Sequence, residues 1–126
     1  MKKVLLLEPD QLLSHAYAKA LMHSGLTVTQ VHTAEEAIRA VDQEFPQVIV
    51  LELQLIGHNG IAFLQEFRSY SEWRHVPVVI NTHLNLTMLE SLQETLIQDF
   101  GIHTWLYKPQ TSLQKLIATV KEQGSV

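Results

Sequence analysis

The sequence contains no cysteine, which excludes disulfide bonds and thiolate metal sites. It has only 5 glycines and no G-x-G-x-x-G motif, the loop that cradles the phosphates of dinucleotides. Basic clusters are missing too, because no Lys/Arg run is longer than Lys2-Lys3 and the formal net charge is -4. Direct binding to nucleic acid or to an anionic membrane is therefore not expected.

Long hydrophobic runs are absent as well. The N-terminal lysines are followed by Val4–Leu7 and then by Glu8, an apolar stretch too short for a signal peptide. No segment approaches the roughly 20 apolar residues that a membrane helix needs. We expect a cytoplasmic protein whose 126 residues form one domain, 1–126.

Short apolar runs are present, and they alternate with helical patterns. The unbroken runs Val4–Leu7, Val48–Leu51 and Val76–Ile80 are typical of strands buried on both faces of a parallel sheet. Trp105–Tyr107 is a further predicted strand, and Leu26–His32 is a weaker one. Five helices are predicted from apolar residues at helical spacing, from capping boxes at Thr33 and Thr111, and from terminal glycines. The helices are Leu12–Ser24, Thr33–Val41 (or to Phe45), Ile61–Tyr70, Leu86–Phe100 and Leu116–Val120.

Five β-α units in this order predict an α/β fold. We expect a flavodoxin-like, doubly wound sheet of five parallel strands in the order 2-1-3-4-5. Ligand sites of such sheets lie at the carboxyl ends of the strands. Those ends carry four polar features: Glu8-Pro9-Asp10, Glu52, Thr82 and Lys108.

With these residues in place, the sequence resembles the response-regulator receiver (CheY-like) family over nearly its whole length. The resemblance rests on five motifs in the family's order and spacing: Leu5–Asp10, Val48–Glu52, Gly60 eight residues later, Val76–Thr82 and Trp105–Pro109. In that family an Asp carboxylate accepts a phosphoryl group, an acidic cluster holds Mg²⁺, and Thr and Lys bind the phosphate oxygens. Catalysis of that kind depends on positioning and on electrostatic stabilisation.

This chain departs from the family at the phospho-acceptor position, where Glu52 replaces Asp. The extra methylene displaces the carboxylate, and in-line attack is sensitive to shifts of about 1 Å, so we expect phosphotransfer to be impaired. Two interpretations stay open for Glu52. It either reaches Thr82 and Lys108 and imitates the phosphorylated state, or it is inert. Lys108, in turn, either has a switch role or simply neutralises the carboxylates.

The metal site departs from the family as well, because Pro9 replaces a direct ligand. Glu8 can still contribute an oxygen, whereas Asp10 is expected to cap the following helix. We therefore expect no cofactor and regard Mg²⁺ as disfavoured. The resemblance also implies a cis peptide bond between Lys108 and Pro109.

Two ring side chains lie next to the predicted site. His83 is expected to narrow access to it, and the seven histidines are scattered without an i, i+4 pair that would predict a metal centre. Trp105 matches the family's switch aromatic, which turns inward when the site is charged. The alternative is that Trp105 merely packs on the final helix.

The leading hypothesis is a stand-alone atypical receiver, or pseudo-receiver, in signal transduction. It would be no enzyme, would act independently of phosphorylation, and would bind a protein partner or a second copy through the fourth helix, fifth strand and fifth helix. Two alternatives remain: a phosphorylatable two-component receiver that uses Mg²⁺, and a flavodoxin-like domain that binds a small ligand.

Overall fold

The computed structural model of the chain describes residues 2–57 and 59–123. Five parallel strands form one sheet in the order β2-β1-β3-β4-β5. The strands are β1 Lys3–Leu7, β2 Thr27–Val31, β3 Val48–Leu51, β4 Val78–Thr82 and β5 Thr104–Tyr107. This arrangement confirms the predicted flavodoxin-like fold and its strand order.

Helices cover both faces of the sheet, as the unbroken apolar strands predicted. They are α1 Gln11–His23, α2 Ala34–Gln43, α3 Gly60–Ser69, α4 Leu86–Phe100 and α5 Leu113–Glu122. Alternate residues of β1 enter different cores: Leu5 and Leu7 pack with residues of α2, α3 and α4, while Val4 and Leu6 pack with residues of α1 and α5. The sheet is therefore doubly wound.

Three of the helix starts test the predicted caps. Asp10 Oδ1 accepts from Leu13 N at 3.0 Å, and Thr33 accepts from the backbone of α2, so both predicted caps are confirmed. The predicted cap of α5 is wrong by one residue, because Ser112 is the N-cap. Thr111 instead donates its hydroxyl to the Tyr107 carbonyl at 2.7 Å, which removes it from the capping role.

The buried face of α1 includes a polar residue. Leu13 and Ala16, two of the apolar residues at helical spacing in this helix, are exposed, whereas Ser14 is fully buried. The Ser14 hydroxyl donates to Gln30 Oε1 at 3.0 Å, so its burial leaves no unpaired polar atom. A polar residue thus takes a core position in α1, on the same buried face as Ala18 and Leu21.

Gly60 brings the start of α3 against the end of β3. A Cβ atom at this position would lie 2.8 Å from Leu53 Cα, closer than any side chain tolerates. The Gly60 amide donates to the Leu53 carbonyl at 2.7 Å. No helix in the described ranges is long and apolar enough to cross a membrane.

Candidate functional site

The polar residues singled out in the sequence meet at the carboxyl edge of the sheet. Glu8 follows β1, Glu52 follows β3, Thr82 ends β4 and Lys108 follows β5. These four strands are neighbours, so the side chains converge. The two carboxylates are 2% and 1% exposed and Thr82 is 0% exposed, which makes this a buried polar site.

The Glu52 carboxylate is bound through both of its oxygens. Oε1 accepts from Lys108 Nζ at 2.7 Å, from His83 N at 3.2 Å and from His83 Nδ1 at 2.7 Å. Oε2 accepts from the Thr82 hydroxyl and from Gln54 N at 3.1 Å. These bonds satisfy a buried charge that would otherwise be strongly destabilising.

Lys108 bridges the two buried carboxylates. Its ammonium lies 2.6 Å from Glu8 Oε1 and 2.7 Å from Glu52 Oε1, and its side chain is only 8% exposed. The other oxygen of Glu8 accepts from Asp10 N at 3.0 Å. Two carboxyl groups therefore share one ammonium.

The pKa shifts follow from this pairing. Burial raises the pKa of Glu52, but the hydrogen bonds from Lys108 and Thr82 outweigh it, and the net pKa lies below its ordinary value. Burial lowers the pKa of Lys108, but its bonds to Glu52 and Glu8 bring the net pKa above its ordinary value. Both shifts favour the charged forms, so Glu52 and Lys108 remain ionised at neutral pH.

The match to a known family agrees with this geometry. The family model of the response regulator receiver domain matches residues 4–121 of the sequence. The chain belongs to the response regulator receiver domain family. It is thus a receiver domain of the kind used in two-component signalling.

Its relatives include transcriptional regulators and a response regulator of about the same length. The receiver is 30% identical over 128 residues to the transcriptional regulatory protein PmrA of Pectobacterium parmentieri, a match that covers 98% of this chain and 54% of that protein. It is 27% identical over 109 residues to the KDP operon transcriptional regulatory protein KdpE of Escherichia coli, covering 86% of this chain and 45% of that protein. The receiver thus spans about half the length of these two relatives.

The polar-differentiation response regulator DivK of Brucella ovis is 23% identical, with 95% of this chain and 94% of that protein covered. Among solved structures, the chemotaxis response regulator CheY4 of Vibrio cholerae has a TM-score of 0.83 at 20% identity, covering 96% of this chain and 97% of that one. That likeness shows the fold.

His83 is a site residue whose bonding the sequence did not reveal. It was expected only to narrow access, yet its backbone and its ring both contact Glu52. Because a carboxylate only accepts, the ring nitrogen facing it carries the proton. The side chain is 58% exposed, so the imidazole lies between the buried carboxylate and solvent. The only sequence feature that indicated this contact was the position of His83 directly after Thr82, at the end of a predicted strand.

Two further polar contacts lie next to the site. Tyr17 of α1 shares a side-chain hydrogen bond with the buried Asn81 of β4; burial raises the pKa of Tyr17. His32 Nδ1 lies 2.9 Å from the Glu8 carbonyl oxygen. Neither contact was predicted, because polar residues inside or after strands give no signal of their partners.

One expectation drawn from the family is wrong for this receiver. No peptide bond in the described ranges is cis, so Lys108 and Pro109 are joined by a trans bond. Pro109 lies in the short 3-10 turn Lys108–Gln110, where the fixed φ of proline suits the start of a helical turn. Trp105, for which packing on the final helix was the alternative to a switch role, packs against the core cluster on the α4 side of the sheet.

Proposed function

We propose that this receiver signals by binding protein partners, without phosphorylation at position 52. The observation that carries the proposal is the bonding of Glu52 to both Thr82 and Lys108. In the family, those two groups bind the phosphate oxygens. Here the Glu52 carboxylate takes their hydrogen bonds permanently and supplies the negative charge that a phosphoryl group would bring.

The same bonding argues against Glu52 as a phosphoryl acceptor. Attack on phosphorus needs a carboxylate oxygen with a free lone pair aimed at the donor. Both oxygens of Glu52 already accept hydrogen bonds, and the residue is 1% exposed. His83 also covers the approach from solvent. A phosphoryl donor would have to displace several bonded groups at once, so we assign no catalytic residue.

The donor set does not fit Mg²⁺ either. This ion needs several oxygen ligands in near-octahedral geometry. The ammonium of Lys108 already lies between Glu8 and Glu52, Pro9 has no side-chain oxygen, and Asp10 is bonded to the start of α1. We propose that Lys108 replaces the metal as the cation of the site, and that the domain needs no cofactor.

The proposed partner surface is formed by α4, β5 and α5. Large apolar side chains are exposed there: Leu86 is 41%, Met88 50% and Leu113 45% exposed. A cleft between these elements is lined in part by Trp105 and Tyr107 of β5, the strand that leads into Lys108. The surface therefore adjoins the buried site, and we propose that another protein or a second copy of the chain binds it.

Intact-mass measurement after incubation with acetyl phosphate and Mg²⁺ tests the proposal. We expect no added phosphoryl mass on the wild type. Beryllofluoride with Mg²⁺ should likewise leave the fluorescence of Trp105 unchanged. That signal is read in a Trp73→Phe background, because Trp73 is a second fluorophore stacked in the core on Phe67.

Glu52→Asp is the matched variant. If Glu52→Asp is phosphorylated and the wild type is not, the extra methylene of Glu52 is what prevents phosphorylation. If neither protein is phosphorylated, Pro9 and Lys108 also contribute by excluding the metal. Phosphoryl mass on wild-type Glu52 would contradict the proposal and restore an ordinary two-component switch.

A further inference from the structure

A second polar cleft lies at the opposite edge of the sheet, beside the start of β4 and β5. It has a volume of about 320 Å³, and its lining includes two arginines and two histidines, Arg68, Arg74, His75 and His103. No carboxylate of the described residues lines it. The chain has a net charge of -4 and only three arginines, so two arginines in one cleft are a marked local excess of positive charge.

Arg68 contributes the most enclosed charge of this cleft. Its Nε donates to the Phe100 carbonyl at 3.0 Å and one terminal nitrogen donates to the Trp73 carbonyl at 2.8 Å. Both partners are neutral, and no ion pair of Arg68 occurs within the described ranges. The guanidinium carbon also lies 5.6 Å from the centre of the Phe67 ring, a cation–π contact. Because a guanidinium carries five N–H donors, more than half of its donor capacity remains for a ligand. Burial lowers the pKa of this group.

The basic cleft continues into an apolar one. An adjoining cleft of about 300 Å³ shares His75 and Pro77 with it and is lined further by Phe45 and Pro46. Phe45 is 50% exposed although it is a large aromatic residue. The one acidic residue in this second lining is Glu72, which is accompanied by Lys2. A charged half and an apolar half are thus joined in one surface.

We infer that these joined clefts bind a mononucleotide, with its phosphate at Arg68 and Arg74 and its base against Phe45. Guanidinium groups match phosphate oxygens bidentately, and aromatic side chains stack on any base. The volume of each cleft falls at the lower end of the range of small-molecule sites, so one cleft can take the phosphate and the other the base.

The site would give this receiver an input other than phosphate. Arg68 bonds the carbonyl of Phe100, the last residue of α4, and Gly101 lines the basic cleft. A ligand bound at Arg68 therefore touches the end of the helix that also forms the proposed partner surface. The inference does not depend on the state of Glu52, so either can fail without the other.

Titration of the ¹⁵N-labelled chain with AMP, followed by amide NMR shifts, tests the inference. We expect saturable shifts at His75, Gly101 and His103, with weaker effects from adenosine and from inorganic phosphate. Arg74→Gln should weaken AMP binding about tenfold, the loss expected for one charge-assisted contact. Phe45→Ala should weaken AMP and adenosine but leave phosphate unchanged.

Arg39→Gln is the matched control. It removes the chain's third arginine, which lies in α2 outside the two clefts, and it should bind AMP as the wild type does. No shift at about 10 mM AMP, a concentration that would reveal even a millimolar Kd, would overturn the inference. Equal losses in Arg74→Gln and Arg39→Gln would also overturn it, since they would indicate unspecific charge attraction. Phosphate binding as tightly as AMP would overturn the assignment of a nucleotide.

Discussion

Lys108 is the residue on which the buried site depends. Its ammonium is bonded to Glu8 and to Glu52, and both carboxylates are almost fully buried. Replacing every member of such a buried ion pair by apolar residues often changes stability little. Removing only one partner, however, leaves a buried charge without compensation. The single cation of a two-carboxylate site should therefore be the least replaceable of the three.

We expect Lys108→Met to lower the free energy of unfolding by about 3–5 kcal/mol, the range for a broken buried ion pair. Methionine keeps much of the apolar length of lysine, so the loss reports the charge rather than the volume. Urea unfolding at pH 7 measures it. The control is Lys115→Met on the exposed side of α5, which should change stability by less than about 0.5 kcal/mol. A loss in Lys108→Met no larger than the control would mean that the two carboxylates need no cation.

At the scale of single elements, the start of α1 decides the role of Asp10. Its side chain accepts from Leu13 N at 3.0 Å, while its own backbone N–H donates to Glu8. The side chain is therefore engaged as a helix cap, although the family uses this acidic segment for metal. A cap needs only a suitably placed oxygen, whereas Mg²⁺ is usually held through the negative charge of one or two carboxylates.

Asp10→Ala should lower the free energy of unfolding by about 1 kcal/mol, and Asp10→Asn should leave it nearly unchanged, because asparagine caps as well as aspartate. Thermal unfolding monitored by circular dichroism, repeated with and without Mg²⁺, measures both. Stabilisation of the wild type by Mg²⁺ that is lost in Asp10→Asn would contradict the capping assignment and indicate a metal ligand.

The sequence predicted the order of elements well because its apolar runs are unbroken and its caps and terminal glycines are clear. It also predicted that Glu8, Glu52, Thr82 and Lys108 lie at one edge of the sheet, because the carboxyl ends of parallel strands lie at the same edge. It did not predict the bonds within the site, because these depend on side-chain length and rotamer. It also did not predict that Ser14 of α1 is buried, because the partner that allows this burial, Gln30, is distant in the sequence.

For the molecule as a whole, the buried site links folding to pH. The pKa of Glu52 in the fold lies below its ordinary value of 4.5, so folding favours the charged carboxylate. A group with a lowered pKa stabilises the fold above its unfolded pKa, and the stabilisation is lost as the pH falls through the folded pKa. Lys108 behaves oppositely: its raised pKa contributes stability that is lost only at alkaline pH.

We therefore expect the free energy of unfolding to fall below about pH 4.5 more steeply in the wild type than in Glu52→Gln, by up to about 1.4 kcal/mol per pH unit for one proton. Glutamine keeps the shape of the side chain but has no proton to gain in this range. Urea unfolding at several pH values between about 3 and 7 measures the two slopes. Glu52→Gln should be the less stable protein at pH 7, where Lys108 loses a charged partner, and the difference should narrow on acidification. Parallel slopes would mean that Glu52 has the same pKa in the folded and the unfolded chain, so that its bonds to Lys108 and Thr82 do not favour the charged form. A wild type that instead gains stability relative to Glu52→Gln on acidification would show that Glu52 is protonated in the fold, and a neutral carboxyl group could not take the place of a phosphoryl charge.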